Sequence, residues 1–430
     1  MKRALKIIVA TLLGMLARLV VLKYHPTIVM VTGSVGKTST KDAVAAVAKS
    51  AFFARASEKS YNSEFGVPFT IFGVKNPWKN PFAWLWVLKE AFALLLLPNH
   101  YPKLLVLEVG ADRPGDMLRI LRIVTPDVVV ATRLPDIPVH VEAYASPRAV
   151  REEEFLPAYA LGPSGVLVLN ADYPHQEELA KGLSARFIRY GFEERADVRM
   201  LSFDFLVERG NVTGMKGILS LRDTEIAFTI QGAVGKQHAY PVLAAAAAGE
   251  ALGIPIARIR EGLASYIPPP GRMRLLEGKN DSRIIDDTYN ASPVATEEAL
   301  TVLTSFPGAK RRIAFLGDML ELGRYSVVEH ERIGTLVSKD LNLLVAVGMR
   351  ARAICDAALK AGLPAERVRC FDNSKDAARE MPEVLQPGDV VLVKGSQSIR
   401  MERVTEALLK DLSETETLLV RQDKEWKRRA

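Results

Sequence analysis

The sequence predicts an α/β fold with mainly parallel sheets, arranged in two successive domains. Three observations predict it. Short apolar runs alternate with helical stretches along most of the 430 residues, the pattern of parallel strands covered by helices on both faces. A glycine loop, "TGSVGKTST", joins the first of those strands to a helix. A proline-rich break, "YIPPPGRM", divides the series in two.

The elements follow in order. "MKRALKIIVATLLGMLARLVVLKYHP" reads as a basic apolar helix over residues 1–26. Its uncharged core, 7–17, lies between Lys6 and Arg18 and is short of the roughly 20 apolar residues a spanning helix needs. The basic start resembles a signal peptide, but no small-x-small cleavage site follows. "TIVMVTG" is a strand and residues 38–49 a helix. "PFAWLWVLKEAFALLLLP" is apolar but interrupted by Lys89 and Glu90, and its two Trp suit a membrane interface. Contact with a membrane surface through the N-terminal helix and residues 81–98 is the favoured reading. Packing of the two helices on each other comes second, and a true span third.

"KLLVLEVG" is a strand, followed by a helix over 114–123. "DVVVATR" and "GVLVLNAD" are further strands. Residues 195–231 alternate without helical signals and read as a β-rich excursion. "HAYPVLAAAAAGEALG" is an alanine-rich helix. After the break, "RIIDDTY", "RRIAFLGD", "NLLVAVG", "RVRCF" and "DVVLVKGS" are strands, each followed by a helical stretch. The second series reads as a Rossmann-like domain over 271–415, with a basic tail over 416–430. It holds no G-x-G-x-x-G, so a dinucleotide is not supported.

Composition sets the bounds. Hydrophobic residues make up 48% and charged residues 25%, enough apolar surface for sizeable cores. The net charge of +7 is partly terminal, with Lys2, Arg3, Lys6, Arg18 and Lys23 at the head and Lys424, Lys427, Arg428 and Arg429 at the tail. That favours anionic contacts at the ends over one basic groove, though two solvated ends read equally well. No nucleic-acid partner is expected. The two cysteines, Cys355 and Cys370, indicate neither a zinc site nor a disulfide framework, and a reducing compartment fits.

The glycine loop carries the chemistry. Gly33, Ser34, Val35 and Gly36 let backbone N–H groups turn toward phosphate at a helix N-terminus. Lys37 can reach the β- and γ-phosphates, and Thr38 can hold Mg²⁺. Val31 stands where the strict phosphate-loop pattern has glycine. Residues 27–270 therefore read as a P-loop-type central ATPase domain. Glu108 ends an apolar strand, where an open parallel sheet meets its ligand. A carboxylate there is costly unless paired, and Mg²⁺ is the natural partner. His140 follows the next strand, and a lone His is more often structural.

"VTGSVGKTSTKD", "YNSEFGVPFT", "EVGADRPGDM", "VLNADYP", "DDTYNASPVA", "FLGDMLELGRYSVVEH" and "VKGSQSIRME" occur in this order. Together they resemble the Mur ligases, ATP-dependent amide-bond ligases of cell-wall precursor assembly. "GDMLELG" and "DDTYNASP" are most similar to the branch that adds D-alanyl-D-alanine to a muramyl peptide. The resemblance covers about residues 26–409.

It implies a mechanism in which ATP phosphorylates a substrate carboxylate and an amine displaces the phosphate. It also implies roles. Thr38 and Glu108 would bind one Mg²⁺, and His140 would help hold a second. Ser39 and Asn62 would lie near the phosphates. Asp287 would touch the ribose, and Arg272 would reach the phosphates across the domain junction. Asn290, Ser292, Asp318, Glu321, Lys394 and Ser396 would shape the amine side. For these last residues, ordinary loop structure is the competing reading.

Three departures stand out. Glu154 occupies the place, fourteen residues after His140, where many relatives carry a carbamylated lysine; a glutamate is already a carboxylate and could serve without CO₂. The competing reading is a solvated acidic helix start beside Glu152 and Glu153. "GKQHAYP" replaces a "GxHN" segment, so His238 is expected to stack on or hydrogen-bond adenine. Only about 26 residues precede the nucleotide strand, too few for a UDP-binding domain. The expected location is cytoplasmic, peripheral at the inner face of the membrane. Rival readings are a ligase acting on another acceptor, including a lipid-linked one, and a non-catalytic nucleotide-binding scaffold. "GDMLELG" argues against a folate substrate.

Overall fold

The computed structural model describes residues 2–427 apart from 59–60, 79 and 338–339. The side chains of Lys2, Arg3 and Lys424, and all of Arg428 and Arg429, lie outside the described residues. The chain forms two compact units. The first comprises residues 1–202, 217–228 and 239–267; the second comprises 203–216, 229–238 and 268–430.

The chain opens with α1 (Lys2–Tyr24), β1 (Thr27–Thr32), α2 (Lys37–Lys49), β2 (Ala54–Ala56), α3 (Gly66–Phe72) and α4 (Pro81–Leu96). It continues through β3 (Leu104–Glu108), α5 (Asp116–Leu121), β4 (Val128–Ala131), α6 (Pro147–Tyr159), β5 (Val166–Asn170), α7 (Pro174–Ala180) and β6 (Arg186–Gly191). The expected β-rich excursion is a meander of β7 (Val198–Glu208), β8 (Asn211–Leu221) and β9 (Thr224–Gln231). Helices α8 (Ala239–Ala251) and α9 (Ile256–Ala264) follow it.

The sheet order is β2-β3-β1-β4-β5-β6-β7-β8-β9, parallel from β2 through β7. Two-residue turns join the meander strands, at Arg209–Gly210 and Arg222–Asp223. All four residues have positive φ, the conformation that lets a tight hairpin follow strand twist. β1 lies between β3 and β4, so the chain reverses its direction of sheet growth there. Such a switch point opens a crevice at the C-terminal strand ends, where the glycine loop begins.

α1 is longer than its uncharged core suggested, because the helix runs on past Arg18. Its 23 residues span about 34 Å, and by length and composition it could cross a membrane. One face is committed to the protein: Leu13, Leu16, Ala17 and Val20 are buried in the cluster that holds Ile28 of β1 and Leu105 of β3. The other face carries Ile7, Ile8, Leu12, Met15, Leu19 and Leu22, between 43% and 63% exposed. Beside it, α4 buries Val87, Ala91 and Leu94, which share one face at helical spacing. Asn80 caps α4 through the amides of Phe82 and Ala83. Lys23 Nζ closes its other end, donating to the carbonyls of Leu94, Leu95 and Leu97 at 2.8–3.0 Å, a favourable place for a cation. The sequence set membrane contact against mutual helix packing; the two helices pack together, and each still exposes an apolar face.

The second unit's sheet uses β10 (Arg274–Glu277), β11 (Arg283–Asp287), β12 (Arg311–Gly317), β13 (Leu343–Val347), β14 (Val368–Phe371) and β15 (Asp389–Lys394). Its order is β10-β11-β15-β12-β13-β14, antiparallel only at β10. Its helices include α10 (Pro293–Ser305), α11 (Ser326–Leu336), α12 (Arg352–Lys360), α13 (Ser374–Glu380) and α14 (Glu402–Leu408). Residues 416–427 do not trail away. Arg421 bonds the carbonyls of Thr288 and Tyr289 and pairs with buried Glu402 at 2.7 Å. Cys355 and Cys370 are free thiols whose sulfurs lie 2.8 Å apart.

Candidate active site

In the first unit, β1 delivers the chain into the loop 33–36 and α2 leaves from it. Gly33 has φ 119°. A Cβ there would stand 2.4 Å from Thr132 Oγ1 and 2.9 Å from the Thr132 carbonyl oxygen, so the position requires glycine. Gly36, at φ 89°, has open space where a Cβ would be. The amides of Ser34 and Val35, expected to face phosphate, instead donate to the Arg133 carbonyl at 3.0 and 3.2 Å. That pairing pins the loop to the chain leaving β4. The loop's capacity for a ligand therefore rests on two features. The Ser34 hydroxyl is buried without a hydrogen-bond partner among the described residues. The start of α2, with Thr38 and Ser39 buried in its first turn, has no side-chain cap.

Lys37 donates to the Gly33 carbonyl, and its Nζ lies 3.5 Å from Glu154 Oε1. Glu154 is buried on α6, far from the solvated helix start considered as its alternative. Ser146 caps that helix through the Ala149 amide. Glu152 is exposed, and Glu153 accepts from the amides of Gly115 and Met117. Glu154 Oε2 accepts from the Gly33 amide and the Thr32 hydroxyl, each at 3.3 Å. Burial pushes its carboxyl above the ordinary carboxylate value; Lys37, the Gly33 amide and His140 pull it part of the way back. Thr38 Oγ1 donates to Glu108 Oε1 at 3.2 Å, with Glu108 buried at the end of β3. Asn62 reaches the same place. A Cβ on Gly110 would lie 3.2 Å from both Asn62 Nδ2 and Lys37 Cε.

His140 has φ 68°, and its Nε2 lies 3.5 Å from Asp112 Oδ1. Among the described residues no three His, Cys, Asp or Glu side chains converge as a metal site. Of the expected second-metal pair, Glu154 meets Lys37 and His140 meets Asp112, and His140 lies near enough to act on the Glu154 carboxyl.

In the second unit, Lys394 ends β15 and Asp287 ends the neighbouring β11. Both are buried, with Lys394 Nζ 2.5 Å from Asp287 Oδ2 and 3.0 Å from the Asn290 carbonyl. Asp287 also accepts from the Met273 amide at 3.3 Å. Arg272 lies over the Tyr289 ring at 4.1 Å, and its carbonyl bonds His238 Nε2 at 3.0 Å. His238 is buried, its Nδ1 has no hydrogen-bond partner among the described residues, and burial lowers its pKa to about 4. It is therefore a neutral imidazole with one nitrogen to spare.

Asp287, Asn290, Lys394, Arg272 and His238 are thus linked. Others hold helix starts and neighbouring loops. Ser292 caps α10, Asp318 accepts from the Ala351 amide at 2.7 Å, and Ser396 Oγ accepts from the Leu320 amide at 2.9 Å. Glu321 is exposed with φ 64°.

Residues 31–249 match the Mur ligase middle domain, and residues 271–397 match the Mur ligase glutamate ligase domain. The chain belongs to the Mur ligase family. This Mur ligase is 27% identical to the UDP-N-acetylmuramoyl-tripeptide–D-alanyl-D-alanine ligase of Bacillus subtilis, over 93% of the chain and 79% of that relative. It is 30% identical to the enzyme of the same name from Mycobacterium leprae, over 90% of the chain and 74% of the relative. The solved MurF ligase from Thermotoga maritima in complex with ADP superposes with a TM-score of 0.74 at 25% identity. That match covers 94% of this chain and 84% of the other.

Several residues behind the Mur ligase loop escaped the sequence reading. The Thr132 hydroxyl bonds the Thr32 carbonyl at 2.9 Å. Buried Gln176 donates to the Thr132 carbonyl at 2.5 Å and accepts from the Asn170 amide at 2.8 Å. A Thr-Arg pair ending the strand "DVVVA" was the available signal. Gln176, inside a polar stretch, offered none.

Proposed function

We propose that this Mur ligase joins a carboxylate to an amine at the expense of ATP, adding D-alanyl-D-alanine to a muramyl peptide in peptidoglycan precursor synthesis. The γ-phosphoryl group of ATP passes to an acceptor carboxylate oxygen, and ADP leaves. The amine nitrogen then attacks the acyl carbon and loses a proton, and phosphate departs with the electrons of the broken C–O bond. The names of the curated relatives support the choice of acceptor and amine.

The observation that carries the reading is the pairing of Lys37, at the end of the glycine loop, with the buried carboxylate of Glu154 on α6. Phosphoryl transfer needs alignment and charge neutralisation more than covalent help. Lys37 waits on Glu154 and the Gly33 carbonyl and is the cation available to the transferring group. Glu154 takes the part of a carbamylated lysine, as a carboxylate fixed by burial. The spare Ser34 hydroxyl suits a phosphate oxygen. Thr38 and Glu108, a hydroxyl and a carboxylate 3.2 Å apart, are hard oxygen donors that suit Mg²⁺, and we assign it to them. Once bound, Mg²⁺ would neutralise phosphate charge. We assign His140 to helping hold a second Mg²⁺ near the acceptor carboxylate. In the second unit, Asp287 and Arg272 are assigned to ribose and phosphate, His238 Nδ1 to the adenine edge, and Asn290 and Lys394 to the amine side.

Contact with a membrane surface belongs to the same proposal. The exposed apolar faces of α1 and α4, with Phe82, Leu85 and Trp86 on the latter, suit an enzyme working in the cytoplasm against the inner face of the membrane. ADP release that depends on both a muramyl-peptide acceptor and D-alanyl-D-alanine is the expected result. No turnover with any acceptor–amine pair would favour a nucleotide-binding scaffold instead.

A further inference from the structure

A groove of about 950 Å³ lies between α1, the loop before α3, and α5 with the loop that leads into it from β3. Its lining includes Asn62 and Gly110, and Gly110 abuts both Asn62 and Lys37. Its outer wall is α1, where Ile7 and Met15 face both the groove and solvent. Lys6, Arg18, Arg113 and Arg122 also line it.

The charges are unequal. Of the lining acids, Glu64 and Asp116 are committed to Arg119, and Asp112 lies against His140. Lys6, Arg18, Arg113 and Arg122 make no ion pair among the described residues. Lys6 sits over the Phe65 ring at 5.4 Å, and Arg18 touches only the Arg122 carbonyl, at 3.5 Å. Uncommitted cations in a groove that has both an apolar face and a border with Lys37 suit an anion that joins an apolar tail to a reacting carboxylate.

We infer that this groove holds the phosphate-bearing carrier of the acceptor, and that the carrier is a lipid: the acceptor peptide arrives on a membrane-anchored diphosphate. The inference rests on the ligase reading and names its substrate class. The lining of the groove offers the three chemistries such a molecule carries. The exposed face of α1 takes the side where the tail enters the bilayer, Arg18, held against Arg122, and the other uncommitted cations supply the charge for the diphosphate, and Asn62, Gly110 and Lys37 take the peptide end. A nucleotide carrier would leave the apolar wall of α1 without a partner.

Two measurements on the full-length protein test it. In the first, ADP release with D-alanyl-D-alanine is compared for muramyl peptide on a polyprenyl diphosphate in vesicles, on UDP, and free. The lipid-linked acceptor should have the highest kcat/KM, by about tenfold or more. Arg18→Gln with Arg113→Gln should raise its KM by about tenfold without raising the KM for ATP. Equal or better use of the UDP-linked acceptor overturns the inference. In the second, vesicles of phosphatidylcholine doped with polyprenyl diphosphate are compared with vesicles brought to the same charge with phosphatidylglycerol. Preferential binding to the diphosphate, lost in the double variant, supports the groove even where no turnover is seen. Equal binding to both vesicles overturns it. Absence of ADP release with every acceptor, beside diphosphate-selective binding, would sink the ligase reading and leave the carrier site standing.

Discussion

Glu154 shows what one residue can change. Lys37, Thr38 and Glu108 were legible because a short motif and a strand end announce them. The partnership of Glu154 with Lys37 was not, since 117 positions separate them and only the fold closes that distance. Replacing Glu154 by Ala should lower the ligation rate by at least about 100-fold, the scale of losing one fixed electrostatic group at a transfer site. Glu154→Lys should recover activity when bicarbonate is supplied. An Ala variant with the parent rate would remove Glu154 from the chemistry.

Two buried groups of the second unit make a further prediction at this scale. Burial lowers His238 from 6.5 to about 4 and raises Asp286 from 3.8 to about 6. The stability tied to His238 is complete above pH 6.5 and is lost as pH falls toward 4, because there the unfolded chain binds the extra proton. The stability tied to Asp286 is complete below pH 3.8 and is lost as pH rises through 6. Each amounts to roughly 3 kcal/mol, and between pH 4 and 6 they oppose each other. Relative to the parent, the urea midpoint of His238→Gln should fall with rising pH across that window, and that of Asp286→Asn should climb. Identical profiles for all three proteins would refute the offset.

At the scale of elements, the strands were legible because parallel strands covered on both faces must be apolar along their length. β2, three half-buried residues, gave no such signal. The loop's glycines were legible as a motif, but not their inequality. Gly33→Ala should abolish nucleotide binding and destabilise the first unit by about 1–3 kcal/mol, because its Cβ would meet Thr132. Gly36→Ala meets only open space and should cost about 1 kcal/mol from its left-handed backbone. Equal nucleotide affinity in the two variants, by titration calorimetry, would contradict this. α1 is a caution of the same kind. The sequence favoured membrane contact for it, yet Leu13, Leu16, Ala17 and Val20 belong to the core. Removing it to test membrane contact would therefore open the first unit, whereas substitutions on its exposed face would not.

At the scale of the molecule, the two-part α/β plan was legible, and the allotment of the meander and the tail was not. Alternation marks β7 to β9 as strands but says nothing of which core each segment joins. For the tail's Lys424, Lys427, Arg428 and Arg429, the sequence set anionic contact beside solvation; Arg421, outside that reading, completes a buried cluster with Glu402 and the carbonyls after β11. A chain ending at residue 415 would leave Glu402 short of one partner, at a cost of about 3–5 kcal/mol. The melting temperature of the second unit should drop by roughly 10 °C, read by calorimetry. An unchanged transition would show the tail to be dispensable.

Only His25 and Pro26 separate α1 from β1, and β1 leads straight into the glycine loop. No flexible tether intervenes. An enzyme resting on a bilayer through α1 would carry its phosphate loop at a fixed standoff, set by a strand about 20 Å long. Its search for acceptor would then be two-dimensional. Diluting the acceptor with inert lipid would slow the reaction, while enlarging the aqueous volume around the same vesicles would not.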